Sequence, residues 1–135
     1  MREASLLHEL NAVSAAATPD AVALCDGKAT VDDATLHQEV ERFASGLLEA
    51  GVGRGDRVAI YLEKRSETVV ASFGAPAAGA VFVPLNPLLK PDQVAFILRD
   101  CNVKVLVTSP DRLMQLGDVL GQCPDLRHLV LTSAE

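Results

Sequence analysis

Four apolar runs, RVAIYL, AVFVPL, VKVLVT and HLVLT, begin at positions 57, 80, 103 and 128. That spacing suits parallel strands joined by crossover helices, and the lack of strict polar alternation suits strands covered on both faces. Between the runs, apolar residues recur at three- and four-residue intervals. Leu36, Val40, Phe43, Ala44 and Leu47 form one helical stripe; Val94, Ile97, Leu98 and Cys101 form a second; Leu113, Leu116 and Leu120 form a third. The pattern predicts an α/β domain, a layered parallel sheet with crossover helices.

The predicted helix ends carry their own signals. Gly51 is placed to end the long helix in the left-handed conformation, with Val52 folding back onto Leu47. Pro91 suits a first helical position with Asp92 in the first turn, and Ser109 can cap a helix opening at Pro110. Upstream, Asp26-Gly27 between two short apolar runs predicts a β-hairpin, and Leu6, Leu7 and Leu10 predict an N-terminal helix that stops before Pro19. A further helix from about Ser66 turns Val69, Val70 and Phe73 inward. It contains Pro76, which removes a backbone donor, so a bend or an early stop is expected there.

At 135 residues, 49% apolar and 22% charged, the chain is long enough for one globular core and too short for two. The net charge of -6 and the absence of a basic run disfavour a nucleic-acid or anionic-membrane partner. The uncharged stretch from Thr68 to Leu89 is broken by Pro76, Pro84 and Pro87 and reads as a buried helix and strand, not a transmembrane segment. Three widely spaced cysteines, Cys25, Cys101 and Cys123, argue against a closed disulfide set or zinc site and suggest a reducing, cytoplasmic setting.

In open parallel sheets, ligands gather at the carboxyl ends of the strands. Those ends offer a candidate rim of Lys64, Arg65, Asn86, Thr108 and Ser109, with Glu63, Ser66, Thr132 and Ser133 beside it. Each has a simpler reading as well: Lys64 and Arg65 as solvated charges between Glu63 and Glu67, Ser109 as a helix cap, Asn86 as a turn residue between two prolines. His8, His37 and His128 show no metal-ligand spacing, and no Gly-x-Ser-x-Gly elbow places a serine nucleophile. The glycines of GVGRGD precede a strand, whereas a phosphate loop must follow one. No catalytic, cofactor-binding or metal-binding residue is therefore assigned.

RFASGLLEAGVGRGDRVAIYL, AGAVFVPLNP and LKPDQVAFILRDCNVKVLVTS, in that order and preceded by TPDAVAL, resemble the N-terminal part of AMP-forming acyl-CoA synthetases of the adenylate-forming superfamily. The resemblance runs from about Thr18 to Ser109, more loosely to Thr132. It implies a partial N-terminal subdomain of that fold over residues 1–135. It also implies that the full-length enzyme would use ATP, magnesium and coenzyme A to activate a carboxylate, such as a fatty acid, as an acyl-adenylate. In such enzymes the phosphate loop, the magnesium and ribose carboxylates and the C-terminal lysine lie beyond the matched region. This chain is accordingly expected to bind no cofactor and to catalyse nothing alone, its partner being the remainder of the ligase. AGAVFVPLNP resembles an architectural motif, in which Gly79 permits close helix-to-strand packing, Val81, Phe82 and Val83 fill the interior, and Pro84, Asn86 and Pro87 shape the exit turn. The sequence departs from the family at DDATL, where Thr-Tyr-x-Glu-Leu is usual, and at Pro76 and Ala77. A free-standing, non-catalytic binding or interaction domain on the same scaffold is the alternative.

Overall fold

The computed structural model describes residues 22–26, 29–63 and 66–132, with side chains from Asp32 onward except that of Ser66. The predicted N-terminal helix, Lys64, Arg65 and Ser133 lie outside the described residues. Strands β1 (Val22–Asp26) and β2 (Ala29–Asp32) pair antiparallel, as the Asp26-Gly27 signal predicts. Asp32 then caps α1 (Asp33–Glu49) by accepting the Thr35 amide at 2.7 Å. Hydrogen bonding from the Thr35 side chain and amide holds the Asp32 carboxyl below its ordinary pKa.

Four parallel strands follow: β3 (Arg57–Tyr61), β4 (Val81–Pro84), β5 (Val105–Thr108) and β6 (His128–Leu131). Their order across the sheet is β4-β3-β5-β6, with Ala59 opposite Val83 on one side and Leu106 on the other. The connections are α2 (Ser66–Ala77), α3 (Pro91–Asp100), and α4 (Pro110–Leu116) continued by a 3-10 segment, Gly117–Gln122. Alternate strand residues divide the core into two layers. Val58, Ile60, Val105 and Val107 pack with α1 and α2, while Ala59, Tyr61 and Leu106 pack with α3 and Leu116.

Local signals correspond closely to what forms. Gly51 has φ +88°, and the Val52 amide donates to Leu47 O at 3.0 Å, closing α1. Ser109 accepts the Arg112 amide at 3.3 Å, and the Gln93 side chain accepts the Lys90 amide at 2.9 Å. Helix α2 runs through Pro76 to Ala77 and is closed by Gly79 at φ +84°, the Gly79 amide donating to Pro76 O and the Ala80 amide to Ala75 O, each at 2.9 Å, so the glycine and not the proline sets the stop.

Packing corrects several expectations. Small residues Ala71, Gly74 and Ala75 hold the innermost positions of α2, with Val69, Val70 and Phe73 only half-buried, because α2 lies close against both α1 and the sheet. Val81 does not fill the interior; it is 49% exposed on the edge strand β4, and Phe82 and Val83 are half-buried. Edge strand β6 likewise exposes Leu129 and Leu131, so not every strand is covered on both faces. Gly79 serves a turn with φ +84°, and a Cβ there would meet Arg54 only at ordinary contact distance, so close packing does not explain it. The stripe Leu113, Leu116, Leu120 is split at Gly117, whose φ of +56° ends the α-helix and starts the 3-10 segment.

Candidate functional site

The chain leaves β3 for β4 on one side and then crosses to β5 on the other, with α2 and α3 on opposite faces. The carboxyl ends of β3 and β5 therefore flank a topological switch point, the usual position of a ligand crevice in open α/β sheets. What the structure assembles there centres on Arg112, a residue not singled out in the sequence. Its side chain is only 12% exposed. Nη1 donates to Pro87 O at 2.9 Å, Nη2 donates to Glu63 Oε1 at 3.1 Å, and the guanidinium lies 4.8 Å from the centre of the Tyr61 ring. Tyr61 Oη donates in turn to Leu89 O at 2.8 Å, and the Thr68 hydroxyl donates to Glu63 O at 2.7 Å. One cation thus ties together the loops leaving β3, β4 and β5.

Of the predicted rim, Thr108 is fully buried and its hydroxyl donates to Tyr61 O at 2.8 Å, so it is a sheet cross-link and not a rim group. Ser109 is half-buried and engaged as the α4 cap. Asn86 is exposed, and its Oδ1 accepts the Leu88 amide at 2.9 Å, the turn bond its position between prolines suggested. Glu63 is exposed and joined to Arg112. A cavity of about 430 Å³ opens beside β6, floored by Phe43, Val70, Val107 and Val130, with Thr132 at its edge. Among the described residues no group of three His, Cys, Asp or Glu side chains could hold a metal ion, and no helix is long and apolar enough to cross a membrane. Cys101 and Cys123 are free thiols; burial pushes the Cys123 thiol up.

The Arg112 contacts have a measurable consequence. Arg112→Met is expected to destabilise the domain by about 1–3 kcal/mol in urea unfolding, through loss of a charged hydrogen bond to a carbonyl and of the ring contact. Glu63→Gln is expected to cost no more than about 0.5 kcal/mol, because its carboxylate is 70% exposed and the pair is screened. Equal costs for the two would mean that the ion pair, not the carbonyl and the ring, holds the loops.

Comparison with known proteins gives a consistent result. The sequence profile described as AMP-binding enzyme matches residues 12–134. Enterobactin synthase component F of Shigella flexneri is 34% identical over 123 residues, covering 91% of this chain and 9% of that protein. A long-chain-fatty-acid–CoA ligase of Thermus thermophilus is 35% identical over 98 residues, covering 73% of this chain and 18% of that one. The crystal structure of the anthranilate CoA ligase AuaEII with anthranoyl-AMP superimposes with a TM-score of 0.88 at 26% identity, over 93% of this chain and 24% of that chain. VinN in complex with 3-methylaspartate superimposes with a TM-score of 0.82 at 31% identity, over 96% and 35%. The chain spans about a fifth or less of these curated relatives and about a third or less of the solved ones.

Proposed function

Given that the chain belongs to the AMP-binding enzyme family, a family of adenylate-forming ligases, we propose that it is the N-terminal scaffold of an AMP-forming carboxylate–CoA ligase, inactive alone. The observation that carries this reading is the superposition on a quarter of an anthranilate CoA ligase. The whole ligase would join a carboxylate to ATP and pass the acyl group to the thiol of coenzyme A. That chemistry needs donors around a triphosphate and an oxygen-rich seat for magnesium. The described residues of the carboxyl edge do not fit that role by themselves. Arg112 is committed to Pro87 O and Glu63, Asn86 to its own turn, Ser109 to its cap and Thr108 to Tyr61 O. These contacts brace the loops, with the Asn86 amide group and the buried Arg112 Nε among the donors not so engaged.

The exposed Leu129 and Leu131 of β6, beside the apolar cavity, support the same reading, since an edge strand of this kind is a surface for further chain to cover. A second reading has support of its own. VinN, whose structure holds 3-methylaspartate, is 31% identical, and a probable nonribosomal peptide synthetase of Salinispora arenicola is 34% identical, which supports an amino-acid carboxylate as substrate.

The isolated chain is expected to give no carboxylate-dependent ATP–pyrophosphate exchange above background. Robust turnover, or tight stoichiometric binding of magnesium-ATP, would sink the scaffold reading. With the remaining polypeptide supplied, exchange driven by an amino acid and not by a fatty or aromatic acid would favour the second reading.

A further inference from the structure

At the opposite, amino-terminal edge of the sheet, a polar pocket of about 380 Å³ lies between the end of α1 and the starts of β5 and β6. Lys104, Arg127 and His128 line it, together with a single acidic residue, Asp56. The backbone sets this convergence, because the amides of Arg127 and His128 both donate to Lys104 O, at 2.9 and 3.1 Å. Lys104 Nζ stands 3.6 Å from Asp56 Oδ1, a loose pair, while Asp56 Oδ2 accepts the Gly53 amide at 2.8 Å. That amide is the main reason the Asp56 carboxyl sits below its ordinary pKa, with Lys104 and Arg127 adding to it. Among the described residues the His128 side chain has no ion-pair or hydrogen-bond partner, and Arg127 interacts with Asp56 only through space, beyond ion-pair distance. Asp125, the nearest acidic residue in sequence, accepts from Asn102 Nδ2 at 2.8 Å.

The basic groups are not needed to cap α1. The carbonyls of Gly46, Leu47 and Leu48 already accept the amides of Ala50, Val52 and Gly51, each at 3.0 Å. Cation therefore exceeds anion in a concave pocket of a chain whose net charge is -6. The overall charge repels an extended polyanion, whereas a small oxyanion meets only the local field. An ammonium, a guanidinium fork and an imidazole lining one pocket match an anion with several acceptor oxygens better than a single planar carboxylate.

We propose that this amino-edge pocket binds a phosphate group, seated between Lys104 and Arg127 with His128 as a third contact. The site is separate from the carboxyl edge and stands whether or not the ligase reading holds. The test is an amide NMR titration of the 135-residue chain with inorganic phosphate and, separately, glycerol 3-phosphate, each against sodium chloride and acetate at equal ionic strength.

Saturable shifts at Gly51, Asp56, Lys104, Arg127 and His128, with a midpoint on the order of 1 mM, are expected. Binding of both ligands would identify the phosphate group as what is recognised; binding of glycerol 3-phosphate alone would identify a phosphomonoester as the source. Lys104→Ala with Arg127→Ala is expected to weaken binding about tenfold or more, and Asp56→Asn, which removes the competing carboxylate and keeps an acceptor for Gly53, to tighten it about threefold. The second variant keeps the proposal falsifiable if the first fails to fold. Shifts that match chloride, equal binding of acetate, shifts centred on the carboxyl edge, or affinities unmoved by the substitutions would each overturn it.

Discussion

Leu106→Ala is expected to lower the unfolding free energy by about 2–5 kcal/mol, since it removes a fully buried side chain from a central strand and leaves a cavity behind. For a domain of this size that corresponds to a fall in Tm on the order of 10 °C, readable by calorimetry or by circular dichroism. Leu129, directly opposite on β6, supplies the control. It is 45% exposed, and Leu129→Ala is expected to change stability by no more than about 0.5 kcal/mol. Similar losses at the two positions would mean that β6 is buried in solution, whether by self-association or by a different packing of the chain.

Gly74→Val is expected to be the other large effect. A Cβ at position 74 would stand 3.2 Å from Phe43 Cγ, 3.3 Å from its Cβ and closer still to one ring edge. Turning the ring cannot relieve this, because the Phe43 Cβ is fixed to the backbone of α1. The helices must move apart, at about 1–3 kcal/mol. Helix propensity works in the opposite direction, since valine is a better helix former than glycine, so any net loss measures packing. Combining Gly74→Val with Phe43→Ala should recover part of the loss, with a coupling of about 0.5–3 kcal/mol in a double-mutant cycle. A neutral or stabilising Gly74→Val would show that α1 and α2 do not approach this closely.

These two predictions also show how far the sequence could be read. VLVT and HLVL are nearly the same run of apolar residues, yet β5 is buried throughout and β6 is mostly exposed. Hydrophobicity marks both as strands. Only their places in the sheet, centre and edge, distinguish Leu106 from Leu129. Gly74 and its alanine neighbours read as a weak point in a helix until α1 is set against them. The candidate site divides in the same way, since Asn86 and Ser109 were legible through bonds two and three residues along the chain, while Arg112 was not.

What the sequence alone determined, then, was the succession of four strands along the chain and their parallel sense, the hairpin, the cap at Ser109, the turn at Asn86 and the termination at Gly51. Each rests on interactions between residues a few positions apart, or on a periodicity a single segment displays by itself. The tertiary structure alone decided which strands lie at the edge, that Thr108 is a cross-link, that Arg112 braces three loops and that Lys104, Arg127 and His128 share a pocket. The carboxyl-edge contacts span 25 to 49 positions, and the amino-edge pocket joins the end of α1 to the starts of β5 and β6. The chain must fold before the groups meet, and nothing in their local surroundings marks them beforehand.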